Sequence, residues 1–593
     1  MPQSFDEIRL LMDTAEGKAP ATLKIVNGNI VDVVTGSVYQ EDIIIANKYI
    51  VAIGNGNNYP AIKEVNARGQ YIVPGLIDPH FNIETGLLLP HQLYKRLLLH
   101  GTTTIFLDVS SVVTVLGYNG VKLMKALSEN IPLRTYFYAP IELPRFKARE
   151  VSDATFDKAA LERLLEYDKA LHVTHQEVSD ILAREPHIIE KLRLAHTLKK
   201  KVFGSPLEIP FEELFAYSLS GIDIITCPDE NVAIKMLKAG FHLILENMWN
   251  ENKVGKILRS IKYHIKDFRN FSLAMGMKRI IDIFKEEGLD ATVRAAIGSG
   301  LDPVVALQMA TINSAKFFGI DNLVGSINVG KYADILIVDS VRTFNVRDVI
   351  FNGQVVVERG ILTLENRKSD EKTIPLWATN TINIKRSISD DELILQVDKR
   401  YTKGLITTMS LSGSSIYNRK ENVEVKIKDG KIAPTSKQDV IFIAVVDRYS
   451  DAREIGKGFI SGIGLKHGAF ASTLLYPQYD IVVVGDRIRD MKKALNEVIK
   501  MNGGISVVSR GKVIAKLQLN FAGILTSETP ENTLNKYKDI LRYLQKMGCT
   551  LDDPIFQIAL TCTETTQELG LTSKGLIDVK TKQIINPIVE LYE

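Results

Sequence analysis

Residues 73–84, Val73-Pro74-Gly75-Leu76-Ile77-Asp78-Pro79-His80-Phe81-Asn82-Ile83-Glu84, mark the point at which the texture of the chain changes. Before them, residues 21–74 alternate apolar and polar side chains between turn signals (LKIVNGNIVDVVTG, EDIIIANKYIVAIGN, EVNARGQYIVPG), the pattern of a β meander. From Leu76 onward, short apolar runs (LIDPHFNI, GTTTIFLDVS, LRTYFYAPIEL, LHVTHQE, KKVFGSPL, GIDIITCP, FHLILENM) alternate with helical stretches such as HQLYKRLLLH, PHIIEKLRLAHTLKK and NVAIKMLKAG. That alternation predicts an α/β fold, a TIM-like (β/α) barrel over residues 76–322. Residues 325–362 return to β texture. A β segment on each side of the barrel predicts one composite β domain, made of 1–75 together with 323–375. Residues 365–385 read as a polar linker. A third unit, 385–593, mixes strand-like runs (DVIFIAVVDR, YDIVVVGD) with helical ones (DMKKALNEVIKM) and reads as an α+β domain.

The chain has 593 residues, 45% hydrophobic and 24% charged, with a formal net charge of +3. That balance gives no attraction for nucleic acid or membrane surfaces. The three cysteines, Cys227, Cys549 and Cys562, form neither a disulfide framework nor a thiolate zinc site, which fits a reducing cytoplasm. Residues 5–17 read as an amphipathic helix without a signal-peptide core. No run approaches the roughly 18 apolar residues of a membrane span.

Active sites of β/α barrels lie at the C-terminal ends of the strands. The first such end carries His80 and Asn82, two residues apart and so on one strand face. This stretch resembles the first-strand motif of the amidohydrolase superfamily, in which two histidines at that spacing hold a metal. The runs His100-Gly101-Thr102-Thr103-Thr104, Met309-Ala310-Thr311-Ile312-Asn313-Ser314-Ala315 and Gly330-Lys331-Tyr332-Ala333-Asp334 are similar to several amidohydrolases. The run from Ile455 to Ser472 (IGKGFISGIGLKHGAFAS), with Ile481-Val482-Val483-Val484-Gly485 and Gly503-Gly504-Ile505, resembles the adenine deaminase family, as does the domain order. The resemblance implies hydrolysis of adenine to hypoxanthine and ammonia by a metal-bound water. It implies a divalent metal (Mn, Fe or Zn), a small purine base as substrate, and is compatible with a homo-oligomer.

The departures from the family pattern are as specific as the match. Asn82 stands where the second histidine is expected, and Asp108 is followed by Val109-Ser110-Ser111 instead of Pro-His-Glu. Gly204-Ser205-Pro206, Cys227-Pro228-Asp229-Glu230 and Phe271-Ser272-Leu273-Ala274 lack the expected histidines and aspartate. His-Asp-Ser-His becomes Tyr476-Pro477-Gln478-Tyr479. A binuclear centre uses about five or six protein ligands, so the chain can also hold no metal. His80 and Glu177 are the surviving family positions; His80 reads equally as a ligand or as a hydrogen-bonded relic, and Glu177 equally as a metal ligand or base or as a carboxylate paired with a nearby Lys or Arg. His175 shares a face with Glu177 if that run is extended, so His80, His175 and Glu177 make a candidate mononuclear set, with Glu177 as the candidate catalytic base. The bland reading of His175 is an ordinary polar residue. Glu84 and Asp108 are candidate substrate-binding residues; Asp108 reads more simply as a residue that orients a loop. Tyr476 and Tyr479 pack over a pocket or belong to the core, and Cys227 reads as a buried small hydrophobe. Three functions follow: an adenine deaminase-like amidohydrolase with an altered metal site, a catalytically silent relative that binds a small molecule or a partner, or a hydrolase of a different substrate with one metal or none.

Overall fold

The computed structural model describes residues 4–593 except 144–156, 168–170, 176–177, 205–208, 248–251, 286–287, 365–372, 434–437 and 564–566. Its centre is a parallel eight-stranded sheet in chain order: β1 (Leu76–Asn82), β2 (Thr102–Asp108), β3 (Arg134–Pro140), β4 (Leu171–His175), β5 (Val202–Gly204), β6 (Ile224–Thr226), β7 (His242–Glu246) and β8 (Phe271–Ala274). β8 packs back against β1, so the sheet curls into the expected barrel. Helices cover its outside, which is why strands such as Thr102–Asp108 are buried along their whole length and read as continuous runs instead of alternating ones. The helix Lys253–Ile261 shows the complementary logic. Val254, Ile257, Leu258 and Ile261 fall on one 3.6-period stripe and all are buried.

The first strand is irregular where Pro79, which has no N–H, interrupts the ladder between Asp78 and Phe81. The buried Asp78 carboxylate stands in for the missing bonds. It accepts the His80 N–H at 3.1 Å and, across the seam with β8, the Met275 N–H at 3.3 Å.

Both flanks of the barrel contribute to one seven-stranded sheet. Ile335–Val338 pairs antiparallel with Tyr71–Pro74, placing Leu336 opposite Val73 and Ile337 opposite Ile72. A four-stranded sheet of Tyr49–Gly54, Asp42–Ala46, Leu23–Val26 and Glu64–Asn66 packs with it around Ile25, Ile43, Ile72 and Ile337.

The C-terminal unit is a ten-stranded sheet with helices. Its central strand, Val440–Val446, divides by alternation. Phe442 and Ala444 meet the helix Ile488–Lys500, while Ile441, Ile443 and Val445 join the apolar cluster that continues into the barrel. Among the described residues no helix is long and apolar enough to cross a membrane.

A buried ion network fixes the C-terminal unit to the loop after β8. Arg279 donates to Asp282 at 2.8 and 3.0 Å and to Asp553 at 3.3 Å; Tyr537 donates to Asp553 at 2.7 Å. Asp553 also caps the helix Pro554–Thr561 through the Phe556 N–H. Removing one partner of such a network leaves the other charges buried and uncompensated. Arg279→Met is therefore expected to cost about 3–5 kcal/mol in chemical unfolding; a loss below about 1 kcal/mol would show that the network is not holding the units together.

At the opposite, N-terminal end of the barrel, His242 lies stacked on Phe317 at 4.2 Å, with Nε2 2.8 Å from Ser272 Oγ. Burial, helped by the charge of Lys201, pushes its pKa down to about 3. The unfolded chain protonates this histidine near 6.5 and the folded one only near 3, so its contribution is complete above about pH 6.5 and is lost as pH falls. His242→Gln removes the titrating group. The stability gap between wild type and variant should shrink, by up to about 1.4 kcal/mol per pH unit, on acidification from about 6.5 toward 4. A gap independent of pH in paired thermal melts would contradict this.

Candidate functional site at the barrel mouth

The C-terminal ends of β1, β2 and β7 bring His80, Asp108 and Glu246 to the mouth, all buried. His80 Nε2 lies 3.5 Å from Asp108 Oδ2, an ion pair longer than a well-formed hydrogen bond. Burial alone would lower the His80 pKa; the Asp108 carboxylate, with the charges of Glu246 and Asp78, raises it above its ordinary value instead. Burial would likewise raise Asp108, but His80 and Ser110 hold it below its ordinary value. Asp108 Oδ1 also accepts the Ser110 N–H at 2.8 Å and so orients the loop into the helix Ser110–Leu116. Asp78 is pushed up to about 7 by burial, against the pull of its two backbone donors, and burial raises Glu246. Among the described residues, His80 Nδ1 and Glu246 Oε2 are buried without a hydrogen-bond partner.

The rings packed on His80 are not metal ligands. Phe203 stacks on its ring at 4.1 Å and 13°, and Tyr138 meets it edge-on at 5.7 Å. β5 turns Phe203 into the barrel, whereas a Cβ on Gly204 would point at the helix side, 2.4 Å from Tyr217 Oη. Ala274 ends β8. Asn82 directs its amide at Glu84, 3.5 Å away. Among the described residues no three His, Cys, Asp or Glu side chains are grouped to hold a metal. The described donors therefore do not fit a binuclear centre. His175 ends β4, but its side chain, like Glu177 as a whole, lies outside the described residues.

Glu84 sits in the helical turn Ile83–Gly86, beside the mouth. It accepts from Ser111 Oγ at 3.1 Å, from Asn82 Nδ2 at 3.5 Å and from Tyr479 Oη at 3.4 Å. The last contact joins residues 395 apart in sequence and comes from the C-terminal unit. Glu84, Thr85, Met277, Tyr476, Tyr479 and Phe556 line a cavity of about 20 Å³, room for one water. Tyr476 and Tyr479 thus do pack over a pocket. Cys227 is buried, its thiol pushed up to about 12 by burial and so unfit as a nucleophile.

Sequence reasoning missed Glu246 and Asp78. The signal for Glu246 was present, since it ends an apolar strand with its side chain in register with His242 and Ile244. Asp78 carries a message only once its seam-crossing bond is seen.

Two protein-family models match the chain: the adenine deaminase C-terminal domain over residues 415–583 and the amidohydrolase family over residues 230–356. An adenine deaminase of Thermosipho melanesiensis is 32% identical over 99% of this chain and 100% of its own length. One of Staphylothermus marinus is 30% identical over 98% of each chain. Among solved structures, an N-acetylglucosamine-6-phosphate deacetylase of Pasteurella multocida aligns over 57% of this chain and 100% of its own, with a TM-score of 0.45 and 15% identity.

From the donor set, the purified protein is expected to carry less than one tightly bound divalent metal per chain. Elemental analysis finding two metals per chain, without added metal, would overturn this.

Proposed function

This chain belongs to the adenine deaminase family, and from that premise we propose that it binds a purine base at the barrel mouth without the family's metal-dependent hydrolysis. The observation that carries the reading is the surroundings of His80. Its Nε2 faces Asp108, its ring lies against Phe203, and the position two residues on is an asparagine bonded to Glu84. A transition metal needs several convergent imidazole or carboxylate donors, and an asparagine amide, a phenyl ring and a methyl group are poor substitutes. What the mouth keeps is suited to recognition: buried carboxylates, Asp108 and Glu84, and aromatic walls. A planar base with N–H donors matches such a lining.

A second reading has support from the full-length similarity. Hydrolysis through one metal on His80, His175 and Glu177 would place Glu177 as the base that deprotonates water and His80 as a ligand. One experiment separates the two. Adenine is supplied to the full chain with Mn, Fe(II) or Zn added in turn; ammonia release is measured, and adenine and hypoxanthine binding are followed by calorimetry. The proposal expects bound base and no ammonia above a blank. Turnover that falls by about 10²–10⁴-fold in Glu177→Gln, the usual contribution of a general base, and also in His80→Ala would establish the second reading instead.

A further inference from the structure

The floor of the barrel, at the opposite end from the mouth, holds two buried histidines: His172, the second residue of β4, and His242, the first of β7. Their hydrogen bonds mark both rings as neutral acceptors. His172 Nδ1 accepts the Lys201 N–H at 3.0 Å, so its ring hydrogen lies on Nε2. Ser314 Oγ donates to Ser272 Oγ at 2.9 Å, which leaves the Ser272 hydroxyl to donate to His242 Nε2 at 2.8 Å; here the ring hydrogen lies on Nδ1. The two rings hold opposite tautomers, and a proton added to either one breaks the bond it accepts.

One lysine joins them. Lys201 meets His172 through its backbone, and its ammonium lies 4.6 Å from the Phe317 ring, which stacks on His242 at 4.2 Å. The next residue, Phe318, meets the His172 ring at 5.2 Å. Burial pushes both rings down to about 3, helped by Lys200 and Lys201 at His172 and by Lys201 at His242. The remaining charged groups of this layer are engaged elsewhere. Asp223 accepts the Val202 N–H at 2.9 Å and lies 3.6 Å from Lys201 and 3.9 Å from His196. Arg134 and Asp334 pair with each other at 3.0 Å. Lys316 is exposed, and burial holds Tyr136 and Tyr138 above the ordinary tyrosine range and so uncharged. Among the described residues no carboxylate pulls either histidine toward its charged form.

We propose that His172 and His242 are one acid-sensing unit, a two-proton release built into the barrel floor: the closed floor admits neither proton, and acidification opens the barrel with uptake of both. In the unfolded chain each histidine takes its proton near 6.5. Both are depressed by folding, so their contribution is complete above about pH 6.5 and is lost as pH falls below it. Two such protons change the ratio of open to closed barrel by up to about a hundredfold per pH unit, and one by up to about tenfold.

The test follows hydrogen exchange of the barrel strands in the full chain between about pH 6.5 and 4.5, each rate corrected for the intrinsic pH dependence of exchange. The variants keep the accepting atom and remove the titration: His172→Asn offers Oδ1 in place of Nδ1, and His242→Gln offers Oε1 in place of Nε2. On acidification the opening ratio of wild type is expected to rise by up to about tenfold per pH unit relative to either single variant, and by up to about a hundredfold relative to the double variant. A rise that only one of the two substitutions removes overturns the paired unit; a rise unchanged in the double variant overturns the floor as its origin. Nitrogen NMR spectra of the histidine rings in wild type decide the matter if a variant fails to fold. Two of the ten histidines are expected to stay neutral in the folded protein on acidification, one with its hydrogen on Nε2 and one on Nδ1. Rings that all titrate near 6.5 overturn the inference.

Discussion

The closure of the barrel turns on one buried carboxylate. Asp78 spans the seam between the first and last strands and also holds the backbone N–H of His80, where a proline has broken the ladder. The same atom pair sets the height of His80, and through it the pairing with Asp108 and the stack on Phe203. A carboxyl in this position must be desolvated, and burial leaves Asp78 titrating at about 7. Local electrostatics at the mouth is thus a by-product of how the ring is sealed.

A second constraint acts from above. Arg279, in the loop after the last strand, is shared between Asp282 of its own domain and Asp553 of the C-terminal unit. Asp553 caps the helix that bears Phe556, so the ion pair places one wall of the cavity relative to Met277 two residues before Arg279. The Tyr476–Tyr479 segment forms another wall. The cavity beside Glu84 is assembled from two units, and neither barrel nor C-terminal sheet contains it alone.

The barrel was legible because parallel strands covered on both faces leave short unbroken apolar runs between helical ones, as in Thr102–Asp108. The pairing of the flanking β segments was legible from composition, although the register of Leu336 with Val73 was not. In the candidate site, His80, Asp108 and Glu84 were named from their places near strand ends and from the family motifs, and the structure puts them at or beside the mouth. Their partners were not, because contacts such as Tyr479 with Glu84 or Met275 with Asp78 connect segments hundreds of residues apart and leave no local pattern. Phe203 shows the same limit. Its strand reads as ordinary apolar sequence, and only the curvature of the sheet turns that ring onto an imidazole from the first strand.

The antiparallel pairing of Tyr71–Pro74 with Ile335–Val338 also has a kinetic side. The earlier strand leaves the ribosome long before the later one exists, and everything in the barrel is made in between. Loop closure over such a span is slow compared with local helix and hairpin formation. The edge of Tyr71–Pro74 that Ile335–Val338 will occupy must therefore wait, unpaired and apolar, through most of synthesis, and unpaired strand edges are where chains associate wrongly. This makes the vacant edge a segment of the nascent chain that needs shielding until Ile335–Val338 has been made.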